Sequence, residues 1–467
     1  MLTDSSGNPT TAHPSALQPF EQALDDLLHF RGDLIGDINH MVEADPGCAM
    51  GHAFKGYIGV LGTEAEDAAV AKTVMDAYLR QTDRSKFLER EQMHLQAAST
   101  LLEGNFHLAG QQLAELSLRY PRDILALAVG HQIDFFTGNA EMLRDRIAGA
   151  ISAWTPEDHF YPNLLGKLSF GLQETGQYPR AEEVGLEAVE RNPKDVWGIH
   201  AVTHTYEMQG MFAKGMRFMD ARQGDWAVGN YFTIHNWWHY ALYALEAGHE
   251  DRALEIHDVA LLNADNAGLS LTLLDATALC WRLLLEGRIE RERFEAQAEL
   301  WKKKVEPAFY AFNDMHMVMA FVGAGQEAEA AGLIASRERW LAKEPGESIS
   351  NVQMTRRIGL PVCKAILAFG REQYSQVIEH LFPIRRHLHE FGGSHAQRDA
   401  VLRTLVEATL RAGQHTLAQN ILSERISVRP KSPYNWLKQA QLMDQLGQSA
   451  KAALARATAV EYRQVGV

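Results

Sequence analysis

Histidines and acids recur in the middle of this chain at intervals that give them common helix faces. His200, His204 and Glu207 are four and three residues apart, and side chains at those intervals lie one above another on a helix. His235 and His239 repeat the interval of four, and Asp275, Asp314 and His316 follow. Imidazole beside carboxylate exchanges protons near neutral pH. The same mixture suits a divalent cation. Pairs such as His316 with Asp314 or Asp275 fit acid–base work, which makes His204, His239, Asp314 and His316 the candidate catalytic groups. The chain contains no His-Glu-x-x-His, no Walker loop and no Gly-x-Ser-x-Gly. The sequence therefore assigns no metal, leaves any cofactor open and points to no covalent nucleophile. A further cluster, Phe391-Gly392-Gly393-Ser394-His395-Ala396-Gln397-Arg398-Asp399, reads as a loop with Ser394 as helix N-cap. Backbone N–H groups at that helix start, with Arg398 in the first turn, suit a carboxylate or phosphate.

These residues must be positioned by helices. Glycines mark a repeat: Gly104, Gly138, Gly176, Gly210, Gly248, Gly287, Gly325, Gly370, Gly413 and Gly447, at gaps of 34, 38, 34, 38, 39, 38, 45, 43 and 34. Three units share a stricter template of Gly, a ring two residues on, Ala five on and Pro seventeen on. They are Gly104/Phe106/Ala109/Pro121, Gly176/Tyr178/Ala181/Pro193 and Gly413/His415/Ala418/Pro430. Gly permits a tight interhelical turn, Ala lets two helices approach, and Pro ends the second helix. This is the tetratricopeptide pattern, whose usual period is 34. The reading is an all-α, right-handed superhelical solenoid of about ten helix–turn–helix repeats. Residues 1–16 are expected to be flexible, and 17–467 to form one continuous domain closed by a capping helix over Ser449–Gln464. The first helix of each pair would line a concave face. His200, His239, Asp275, Asp314 and His316 lie 9 to 12 residues before their turn glycines, a band about 5 Å deep. Neighbouring helices pack about 8–10 Å apart, so these side chains can meet.

Composition limits the partners. The 467 residues carry a formal charge of -14, 46% hydrophobic and 22% charged residues. An acidic chain with no basic stripe argues against nucleic acid. No apolar run reaches the roughly 18 residues of a membrane span, and no secretory leader is visible. Cys48, Cys280 and Cys363 have neither metal nor disulfide spacing, which fits a reducing cytoplasm.

The segments His200–Gly210, His235–Gly248, Phe312–Ala320 and Gly392–Asp399 resemble the tetratricopeptide repeat protein 38 family. The resemblance implies the repeat architecture and a groove site, with no settled activity to carry over. The expected function is binding of a small anionic molecule or peptide end by His200, His204, Glu207, His235, Trp238, His239, Asp275, Asp314, His316, Arg398 and Asp399. Two alternatives stand beside it: an enzyme using the same pocket for acid–base or metal-assisted chemistry, and a protein-interaction scaffold. A homo-oligomer is compatible with each.

Overall fold

A computed structural model describes residues 2–262 and 268–464. Nearly every element is an α-helix, from Pro14–His29 to Ser449–Gln464. The two-residue strands Leu2–Thr3 and Pro9–Thr10 form the one antiparallel pairing among the described residues. No described helix is long and apolar enough to cross a membrane.

The repeat template explains the turns. Helix Glu89–Leu102 ends at Gly104, whose φ is +83°. Gly104 N donates to Leu101 O and Asn105 N to Thr100 O, which closes the helix with a left-handed C-terminal cap. Ala109, Ala181 and Ala418 are all fully buried, as close helix approach requires. Pro121, Pro193 and Pro430 each stand two residues beyond the last helical residue, Arg119, Arg191 and Val428. Nine of the ten turn glycines have positive φ; Gly370 does not. It closes helix Leu360–Gly370, where a Cβ would fall 2.4 Å from Val322 Cγ1, and Glu372 takes the left-handed position at φ 58°. Gly370 is therefore kept for close packing, and the turn follows two residues later.

The chain divides into two compact units. One comprises Met1–Ala201, Asp225–Thr233 and Glu344–Gln353; the other comprises Val202–Gly224, Ile234–Lys343 and Met354–Val467. In the first unit the N-terminal segment, expected to be flexible, is tied to helix Glu89–Leu102. Arg90 pairs with Asp4 at 3.0 Å, and Glu91 accepts from Thr10 Oγ1 at 2.9 Å and Thr11 N at 2.7 Å. The distant segment Glu344–Gln353 also belongs here: Ser350 N donates to Gly104 O at 2.9 Å, and its hydroxyl meets His107 Nδ1 at 2.8 Å.

In the second unit, helix Ser270–Leu285 packs against Ala311–Gly323 and His395–Arg411. Ala311–Gly323 is buried along its whole length. Its successor Glu327–Ala342 buries only Ala330, Leu333, Ile334 and Arg337. A helix apolar or buried all round is an interior element. The polar residues expected on the concave face are enclosed: His204, His239, Asp275 and His316 are all 0% exposed.

Candidate functional site

In the second unit, three histidines meet across two helices. His235 and His239 share one face of helix Thr233–Ala247, with ring centroids 4.8 Å apart. His204, on Val196–Met208, lies 4.2 Å from the His239 ring. One ring nitrogen from each of His204, His235 and His239 is within 4.8 Å of the others. Two carboxylates fix the rings. His239 Nδ1 bonds Glu207 Oε2 at 2.8 Å, and His235 Nδ1 bonds Asp275 Oδ2 at 2.8 Å. Glu207 lies one turn beyond His204, so the helix that supplies one imidazole also orients another. Burial, reinforced by His235 and Arg282, holds the His239 pKa well below its ordinary value. His239 is therefore a neutral imidazole at pH 7. Burial raises the Glu207 carboxyl against the pull of Arg429, His204 and Arg282. The other Asp275 oxygen, Oδ1, is buried with no hydrogen-bond partner among the described residues; burial raises this carboxyl too, against the opposing effect of His235.

Beside the histidines lies a group of arginines. Glu207, Arg282, Asp399, Arg403 and Arg429 line a cavity of about 20 Å³, room for one or two water-sized groups. Arg403 pairs with Asp399 at 2.8 Å and Glu246 at 2.6 Å, and Arg425 pairs with Asp399 at 2.7 Å. Arg282 differs. It is 2% exposed, donates to the backbone carbonyls of Ala278 at 2.9 Å and Ala396 at 2.7 Å, and lies over the Trp238 ring. No carboxylate among the described residues stands within ion-pair distance of it. Burial, followed by repulsion from Arg403, brings its pKa down to about 10 against the pull of Asp399 and Glu207.

His200, one helical turn before His204, belongs to the first unit, where it stacks on Phe170 at 5.3 Å and meets Trp197 and Phe232 edge-on. Asp314 is held bidentately by Arg337, at 2.9 and 2.8 Å. His316 Nδ1 donates to Phe312 O at 2.8 Å. The expected His316–Asp314 and His316–Asp275 pairs are therefore not formed: Asp275 holds His235, and Asp314 holds an arginine. Burial takes the His316 pKa down to about 4, and its Nε2 has no hydrogen-bond partner among the described residues. Ser394 is the N-cap of His395–Arg411, in a capping box with Gln397. Arg398 turns back onto the Gly392 and Gly393 carbonyls, and Asp399 serves the arginines. Trp238 supplies the ring under Arg282, with its indole N–H buried and without a hydrogen-bond partner among the described residues. Sequence reasoning missed Arg282, Arg337, Arg403 and Arg429. Arg282 did carry a signal, as the lone charge in Leu279-Cys-Trp-Arg-Leu-Leu-Leu285.

Fold and site together define an all-helical repeat protein with an enclosed centre of histidine, carboxylate and arginine. No family model matches the chain. Among solved structures it is similar to a chain in "Structure of Naa15/Naa10 bound to HypK-THB", at 13% identity and a TM-score of 0.23. The match covers 96% of this chain and 63% of that one, so the chain spans less than two thirds of the length of that protein.

Proposed function

We propose that this protein binds a small anionic group, the carboxylate of a small molecule or peptide end, in the polar centre of its second unit. The observation that supports this is Arg282. A buried guanidinium normally has a carboxylate in direct contact, because a buried charge without one is costly; Asp399 and Glu207 act on Arg282 only as more distant charges. This one is oriented by two backbone carbonyls and lines a small cavity. A planar carboxylate suits its fork of donors. The enclosure of His204, His239 and Asp275 favours a compact occupant over an extended peptide lying in a groove. Membership of the tetratricopeptide repeat protein 38 family and a cytoplasmic location belong to the same proposal; the quoted motifs support the first and the three spaced cysteines the second.

A second reading, an enzyme, draws on the His235–Asp275 and His239–Glu207 pairs, both at 2.8 Å. Each is an imidazole oriented by a carboxylate, as general acid–base work requires.

The binding reading is tested by calorimetric and thermal-shift titration with acetate, succinate and a short peptide bearing a free or amidated C-terminus. The free-carboxylate ligands should bind and stabilise, the amidated peptide should not, and Arg282→Met should abolish the effect. Equal responses to both peptides, or an unchanged response in the variant, would overturn it.

A further inference from the structure

We propose that His204, His235 and His239 form a binding site for a divalent first-row transition metal of the zinc type. The way the three rings are held supports this. Metal-binding imidazoles characteristically donate their other N–H to a carboxylate, which sets the tautomer and orients the ring. Two of these three do so, His239 to Glu207 and His235 to Asp275, each at 2.8 Å. With Nδ1 donating in both rings, Nε2 carries the lone pair.

The spacing fits as well. Bonds of about 2.0–2.1 Å in tetrahedral geometry place ligand nitrogens roughly 3.3 Å apart. The separations here are within 4.8 Å, so closing on an ion takes little more than an ångström of side-chain movement. Charge also fits. Glu207 and Asp275 together offset the two positive charges of the ion, and the spare oxygen of Asp275, buried and without a hydrogen-bond partner among the described residues, is the kind of atom a charged centre satisfies. His235 provides access: its side chain is 18% exposed, while that of His239 is 0%. The sequence alone could not assign this site, because two ligands share one helix while the third and both orienting carboxylates come from other helices.

The site goes beyond the carboxylate proposal and does not depend on it, since metal is measured with no anion ligand added. The full-length chain, stripped with a chelator, is titrated with Co²⁺ and Zn²⁺ under equilibrium dialysis with metal analysis, and the visible d–d bands of bound Co²⁺ are recorded. The expected result is one equivalent of either ion with a tetrahedral Co²⁺ spectrum. His204→Ala, His235→Ala and His239→Ala should each lose binding. Glu207→Gln, which keeps the side-chain shape, should weaken it roughly 10–100-fold. His387→Ala, at an exposed His–Glu pair, should bind like the wild type. Substoichiometric metal in the wild-type protein overturns the proposal, as do unchanged titrations of His235→Ala and Glu207→Gln. Because His235 is partly exposed, its variant keeps the test decisive even where His204→Ala or His239→Ala fails to fold.

Discussion

Replacing Arg282 by methionine separates a functional cation from a structural one. Burial and Arg403 hold this guanidinium at about 10 against an ordinary 12.5. At roughly 1.4 kcal/mol for each tenfold change, that is about 3 kcal/mol of folded-state cost for carrying the charge. The sign follows from linkage. The unfolded chain holds the proton more tightly, so this contribution to stability rises with pH between the folded and unfolded values. Below pH 10 both states are protonated and the whole cost is present. Methionine removes it. The losses on the other side are two hydrogen bonds, to Ala278 and Ala396, whose carbonyls lie within helices and keep their helical donors. At about 1.5 kcal/mol each, these losses nearly cancel the gain. Urea unfolding of Arg282→Met at pH 7 should therefore give a stability within about 1 kcal/mol of wild type. Ligand stabilisation should disappear; for the wild type it is about 2.7 kcal/mol at a ligand concentration one hundred times Kd. A loss of 3 kcal/mol or more in the ligand-free variant would make Arg282 an ordinary buried counter-ion and rule out the anion-binding role.

Arg337→Met is the natural contrast: it strands the Asp314 carboxylate, which Arg337 holds at 2.8 and 2.9 Å, and should cost about 3–5 kcal/mol in the same urea assay. Burial works against the Asp399 carboxylate, yet Arg425, Arg429 and Arg403 outweigh it and hold its pKa well below the usual range. Its contribution to stability should be complete above about pH 4 and decline as the pH falls further. Thermal unfolding from pH 6 to pH 3 should show that decline in the wild type and a flatter profile in Asp399→Asn. Glu372→Gly should stabilise by up to about 1 kcal/mol, because it relieves a non-glycine residue at φ 58° of its left-handed strain; a lower melting temperature would count against the reassigned turn.

The repeat was legible because its signals are local. Gly104, Ala109 and Pro121 act within a turn of their own positions, so their spacing alone identifies the helix pair. Gly370 misled because a glycine can serve close packing as well as a positive φ, and only the neighbour, Val322, distinguishes the two. The interval of four is local too: His235 and His239 share one face of their helix. The partners were not legible. Asp275 lies 40 residues from His235, and Arg337 lies 23 from Asp314. Which acid meets which base depends on how helices cross, and no interval within one helix encodes that. The arginines were missed for the same reason: on paper Arg403 and Arg429 look like the ordinary charges of a solvated face.

The first unit's division along the chain has a consequence in time. Its main body ends at Ala201, but its last segment, Glu344–Gln353, supplies Ser350 to Gly104 and His107. A ribosome adding roughly 5–20 residues per second needs about 8–30 s to cover the 152 positions from Ala201 to Gln353. Throughout that interval the nascent first unit lacks a piece of itself, and no single cut through the finished chain releases either unit whole. A fragment ending at Ala201 should therefore be prone to aggregation during expression, and adding residues 344–353 in trans should improve its recovery.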